Sequence, residues 1–213
     1  MTEGDSGAVG QFVRRLLELA LDGGGPVGTA ADLGRRIRAR SRSDRDAISR
    51  IRRHAVVGGG IGGFATGLGG FVTMPVALPV NVMEFYLQAT RMVGAIATVR
   101  GHDISEPDVR TRVLLTLVGS RADEVLKSVG VGATVGPLTN VALKQLPPEA
   151  LMLINKAIGM RLLKSLGERT LTKLGRAVPV AGGVIGGGFD VWMMNRIANQ
   201  ARKAFPEIKG GAD

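Results

Sequence analysis

Cysteine is absent from the 213 residues, and histidine occurs only as His54 and His102. Disulfide frameworks, thiolate metal sites, cysteine nucleophiles and thiol redox chemistry are excluded. The two histidines lie far apart in the chain, which argues against a histidine-rich zinc or iron site. Aromatic residues make up 4% of the chain, too few for the base-stacking platforms that grip single-stranded nucleic acid. The start, "MTEGDSGAVG", is acidic and lacks the basic flank and apolar core of a secretory signal, so the cytoplasm is the expected compartment. No catalytic group, metal or cofactor is expected from these residues.

Positive charge is plentiful but unevenly placed. The formal net charge is +10, and nine arginines fall between Arg35 and Arg53 against two aspartates, Asp44 and Asp46. The nine are Arg35, Arg36, Arg38, Arg40, Arg42, Arg45, Arg50, Arg52 and Arg53. An arginine carries a fixed charge and a flat fork of donors suited to phosphate, so this stretch points to an anionic partner. A solvated helix face that only keeps the protein in solution is the plainer alternative.

After the arginines the composition inverts. Charge is missing from Ala55 to Met83, from Ser128 to Leu143 and from Ala177 to Phe189. The first stretch is long enough to cross a bilayer, for which about 20 apolar residues suffice. However, eight glycines in the thirteen residues of "GGGIGGFATGLGG" make it weakly hydrophobic, and Pro75 and Pro79 interrupt it. Ordinary transmembrane helices are therefore not expected. Gly59, Gly63 and Gly67 recur every four residues, as do Gly182 with Gly186 and Gly183 with Gly187. That spacing lines small residues along one helix face, where two backbones can approach closely in lipid or in a protein core.

The remainder reads as helix, with no run of alternating strand residues between turns. Val9, Phe12, Val13, Leu16, Leu19 and Ala20 make one apolar face opposite Arg14, Arg15 and Glu18, and Gly23 ends that helix. Ser105 reads as an N-cap before Val109, Val113 and Leu117. Pro147 and Pro148 open a helix carrying Leu151, Ile154, Ile158 and Leu162 on one side. The expected fold is all-α, a compact single-domain bundle with closely packed Gly-rich central helices. Residues 1–28 are its amphipathic arm and joint, 29–206 the helical domain and 207–213 a disordered tail.

Two helices carry polar groups in apolar surroundings. From Val80 to Arg100, one stripe holds Asn81, Glu84, Gln88 and Arg91, followed by Ala95 and Thr98. The stripe faces water, or else a polar cavity or partner helix. In the last helix, Asp190 shares the face of Met194, Ile197, Ala201 and Ala204. A carboxylate aimed at a core must be paired, hydrogen-bonded or protonated, and Arg91 is the obvious partner.

Familiar catalytic patterns fail. "GGGIGG" at 58–63 matches G-x-G-x-x-G, yet an arginine-rich helix precedes it where a dinucleotide fold needs a strand. His102 and Asp103 read as loop residues with no nucleophile nearby. No phosphate-binding G-x-x-x-x-G-K-[ST] loop or serine elbow occurs.

The segment "GFATGLGGFVTMPVALPVNVMEFYLQATRMVGAIATVRGHDIS" resembles the EcsC family through Gln88, Arg91, Ile96, Ala97, Gly101 and Asp103. The ending "GRAVPVAGGVIGGGFDVWMMNRIANQARKAF" is similar to that family's ending, through Pro179, the glycine run, Asp190 and Arg196. Val99 stands where an aromatic residue is common. Asn81 replaces a common acidic residue, which removes a titrating or cation-binding group there. The resemblance implies a membrane-associated helical protein and no particular chemical activity.

The leading expectation is a peripheral module at the inner face of the plasma membrane. The arginines would meet anionic head groups, and the Gly-rich helices would pack closely or touch acyl chains. The alternative is a soluble structural or protein-interaction module that forms a homo-oligomer or binds a protein partner. Nucleic acid is the weakest of the three partners. Breaking a true buried pair costs about 3–5 kcal/mol, so Asp190→Ala is expected to melt far below the parent. Coincident melting curves would exclude the Arg91–Asp190 pair.

Overall fold

The computed structural model describes residues 3–23, 28–57, 80–118, 122–128, 143, 146–174 and 181–208. Helix α1 spans Glu3–Leu17 and widens into a π-helical turn, Glu18–Asp22. Its apolar stripe (Val9, Phe12, Val13, Leu16 and Ala20) is buried, and Leu19 packs partly against the same core. Gly23 closes the segment at a φ of 79°, in the region that favours glycine. The amino-terminal arm thus docks on the helical domain.

Helix α2 spans Ala30–Ala39 and α3 spans Asp44–Val57. Ten residues form a marginal helix alone, and α2 begins with a reciprocal cap. Asp32 N–H donates to Thr29 Oγ1 at 2.9 Å, and Thr29 N–H donates back to Asp32 Oδ2 at 3.3 Å. At the start of α3, Asp46 N–H donates to Ser43 Oγ at 3.2 Å.

Helix α4, Val80–Val99, is the axis around which most of the others pack. From Phe85 to Ala97 every residue is buried, as expected of a helix that is apolar nearly all round. Helices α2, α3, α5 and α8, the π turn and part of α1 all lie against it. It ends in a Schellman turn: Gly101 N–H donates to Thr98 O at 3.0 Å and His102 N–H to Ala97 O at 3.0 Å. Gly101 takes the required left-handed conformation, with φ 85°.

Helix α5 spans Pro107–Val118, α6 Ala122–Ser128, α7 Pro148–Leu174 and α8 Ala181–Ala204. Leu151, Ile154, Ile158 and Leu162 are buried on α7, which packs on α1, α5 and α6. Ser105 is not the N-cap expected for α5. That helix starts two residues later, and the Ser105 hydroxyl donates to Asp103 Oδ1 at 2.7 Å in a local turn. The described residues contain only helices, turns and irregular segments, so the fold is all-α. Among them, no helix is long and apolar enough to cross a membrane.

Among the described residues, close approach occurs at glycines outside the four-residue spacing. A Cβ added at Gly34 of α2 would lie 2.7 Å from the Ala95 carbonyl oxygen of α4. At Gly94 it would meet Leu21 Cδ2 at 2.5 Å, and at Gly159 it would meet Val13 Cγ2 at 2.5 Å. Gly59, Gly63 and Gly67 lie outside the described residues. Gly182, Gly183, Gly186 and Gly187 fall within α8.

Gly34→Ala cannot be accommodated by a side-chain shift, because the obstacle is backbone. It should lower stability by about 1–3 kcal/mol. Gly10→Ala, where nothing lies within 4 Å of the added Cβ, should raise stability by about 0.5–1 kcal/mol. Urea denaturation should move the two variants in opposite directions. A Gly34→Ala midpoint at or above the parent's would refute the close crossing.

Candidate functional site

The arginine stretch folds into the α2–α3 hairpin. Its inner faces contribute Ala30, Leu33, Gly34, Ala47, Ile48 and Ile51 to the core. Eight of the nine arginines are exposed, and Arg52 is half-buried. Asp32 accepts from Arg35 Nη2 at 2.8 Å, and Asp46 accepts from Arg50 Nε at 3.1 Å. Asp44 pairs with Arg38. Among the described residues, no ion pair holds Arg36, Arg40, Arg42, Arg45, Arg52 or Arg53. The aspartates therefore brace individual arginines without neutralising the surface, and surface pairs of this kind contribute little stability.

Two of those carboxyls sit below their ordinary range. Asp32 is held down first by the Thr29 hydroxyl and then by Arg35. Asp46 is held down by Arg50 and by the Arg42 backbone N–H. Outside the hairpin, Asp103 is lowered by the Ser105 backbone and side chain.

The polar stripe of α4 turns away from water. Gln88 and Arg91 are buried and Glu84 is half-buried. Gln88 Nε2 donates to Glu84 Oε1 at 3.3 Å. Arg91 Nη2 reaches the Thr29 carbonyl at 3.5 Å, so the stripe meets the capped start of α2. Arg91 Nη1 is buried without a hydrogen-bond partner. Burial pushes the Arg91 guanidinium below its ordinary range, nearby Arg36 adds to that, and Asp32 opposes it. The side chains of Asn81 and Asp190 lie outside the described residues, and with them the expected Arg91–Asp190 pair.

A second buried group was not foreseen. His102, read from the sequence as a loop residue, is buried, and its Nε2 donates to the Pro206 carbonyl at 2.8 Å. Phe205 is fully buried, with its ring centroid 5.2 Å from that of His102. The Arg112 guanidinium lies 5.4 Å from the Phe205 centroid, and Arg112 Nη2 donates to Asp108 Oδ2 at 3.2 Å. Burial pushes the Arg112 guanidinium down, against the pull of Asp108 and Glu106. Ile208 N–H donates to Arg100 O at 2.9 Å, and Arg100 Nη1 stands 3.7 Å from Glu207 Oε2. The ordered contacts thus continue through Ile208, past the boundary at 207 expected for a disordered tail, because the backbone of the α4–α5 turn offers a partner. A short-range signal for this clasp is hard to find, since its two sides are about a hundred residues apart.

Sequence reasoning also passed over the outer face of α8. Val191 and Trp192 are 42% and 52% exposed, and the Arg196 guanidinium lies 5.5 Å from the Trp192 ring centroid. An available signal was that Trp192 falls off the Met194–Ile197–Ala201 face. On α7, Met152 and Leu153 are also exposed. Among the described residues, no three His, Asp or Glu side chains converge as metal ligands would.

The lowered Asp32 carboxyl ties the hairpin to pH. A depressed native pKa contributes stability that is complete above the ordinary aspartate range and is lost as pH falls through the native value. Asp32→Asn should therefore melt below the parent at neutral pH, with the gap closing in acid. A gap that stays constant with pH would show that the charge of Asp32 is not what braces α2.

Comparison with family models, with curated proteins and with solved structures finds no match.

Proposed function

We propose that this chain is a non-enzymatic peripheral membrane module, EcsC-like in character, that docks on anionic lipid through the α2–α3 hairpin. The observation that carries this reading is the hairpin itself. Six of its nine arginines have no described carboxylate partner, and the hairpin is fixed to the core by capped helices. A guanidinium binds phosphate oxygens through two parallel N–H bonds, and a basic residue near an anionic leaflet contributes about 1 kcal/mol. The inner face of the plasma membrane is the surface this charge fits.

A soluble interaction or homo-oligomeric module is the second reading, favoured by the exposed Met152 and Leu153 on α7. That helix packs on α1, α5 and α6, whereas the arginines stand on α2, α3 and the turn between them, and both helices pack on α4. Backbone-only binding to duplex nucleic acid is a third reading, and it would be strongly salt-dependent.

Co-sedimentation with vesicles decides among them. Vesicles of phosphatidylcholine with phosphatidylglycerol should pellet the protein, and pure phosphatidylcholine should not. Replacing Arg40, Arg42, Arg45 and Arg53 together by Gln should weaken pelleting roughly a hundredfold or more. These side chains are on the surface, so the variant's melting temperature should stay near the parent's. Failure of the parent protein to pellet with anionic vesicles, or undiminished pelleting of the variant, would overturn the proposal.

A further inference from the structure

The outer face of α8 combines features that the arginine hairpin lacks. Val191 and Trp192 are among the large apolar side chains left exposed by the fold. Residues 191–204 contain no aspartate or glutamate, and Arg196, Arg202 and Lys203 are all exposed. The core-facing side of the helix is occupied by Met194, Ile197, Ala198 and Ala201. At 100° per residue, Trp192, Arg196, Asn199 and Lys203 fall together on the opposite side. Arg196 stands one turn from Trp192 with its guanidinium over the indole ring. This is a face of one charge sign over residues 191–204, with a large amphipathic ring at its amino-terminal edge and the cations following it along the helix.

Helix α8 packs directly on α3, which carries Arg45, Arg50, Arg52 and Arg53. The exposed cations of α8 and the arginines of α3 thus stand on neighbouring helices. Tryptophan is suited to that boundary, since its ring is apolar and its N–H is a donor. Flanking arginines and lysine match the phosphates at the depth where such a ring settles. The methionines and Leu153 of α7 carry no comparable argument, because nothing in the structure shows what covers them.

We infer that Val191 and Trp192 form an apolar wedge that enters the head group–acyl boundary of an anionic membrane, while Arg196, Arg202 and Lys203 bind phosphate groups around it. The inference rests on the membrane reading above and adds an inserted element to a surface otherwise held by charge. Charge alone is screened by salt within about 8 Å at physiological ionic strength, whereas insertion of a ring is not. The wedge thus converts a salt-sensitive encounter into salt-resistant binding.

Trp192 is the single tryptophan of the chain, so its fluorescence reports on this wedge alone. With phosphatidylcholine–phosphatidylglycerol vesicles, its emission should shift to the blue, and lipids brominated along the acyl chain should quench it. Trp192→Ala should keep the parent's helical circular dichroism and lose about tenfold or more of its vesicle affinity at high salt. Pelleting with unshifted, unquenched emission would overturn the wedge and leave the arginine reading standing. Absence of pelleting would overturn both. A blue shift that grows with protein concentration and needs no vesicles would assign the wedge to a second copy of the chain and overturn its membrane role.

Discussion

Helix α2 crosses α4 where Gly34 has no side chain, with the Ala95 carbonyl in the space a Cβ would take. Much of the surface architecture depends on that contact. A short helix dominated by arginine has little apolar area with which to hold itself on a core. Only Ala30, Leu33 and Gly34 are buried on it. Backbone proximity raises the number of van der Waals contacts each small residue makes, and the Thr29–Asp32 cap fixes the entry angle. With its inner face this thin, the helix turns its arginines outward. Seven of the nine arginines are thus displayed on packed helices, with Arg40 and Arg42 in the turn that joins them.

The centre of the bundle tolerates polar groups by satisfying most of them locally. Thr90 Oγ1 donates to Tyr86 O at 2.6 Å, Thr116 Oγ1 to Arg112 O at 2.8 Å, and Thr98 Oγ1 to Gly94 O at 3.1 Å. Each uses the carbonyl one turn back, so hydroxyls enter the core without a second helix supplying a partner. Arginine cannot be satisfied this way, because its five donors reach beyond its own helix. Arg91 retains one buried nitrogen with no hydrogen-bond partner, and Arg112 retains two. For Arg112, the Phe205 ring and Asp108 offset part of the desolvation cost. For Arg91, the described neighbours are one long contact to Thr29 O and the opposing charges of Arg36 and Asp32.

Phe205 completes the core, and the described residues after it, through Ile208, run back along the surface to the α4–α5 turn. Phe205 fills a site between His102 and Arg112, and the strand of chain after it bonds back to the α4–α5 turn. The Schellman turn at Gly101 makes this possible by presenting the Arg100 carbonyl outward, where Ile208 N–H meets it. Both sides of this contact were visible in the sequence as residues, but their pairing was not. Helix patterns repeat over a few residues, whereas this contact depends on two segments about a hundred residues apart arriving at the same place.

Local periodicity by itself determined the helical class, the apolar faces of α1 and α7, the Gly23 stop and the concentration of charge in Arg35–Arg53. Those features arise from contacts one turn apart and from charge, both of which are written along the chain. Tertiary structure decided that Gly34, Gly94 and Gly159 make close contacts. Gly34, Gly94 and Gly159 stand alone in ordinary helical sequence, and only the crossing of another helix gives their missing side chains a purpose. It also decided that Arg91 reaches a helix start, that Gln88 is buried beside it on the same helix, and that Trp192 stays outside. A helical wheel shows that two sides differ, but the neighbours that pack against it determine which side is covered.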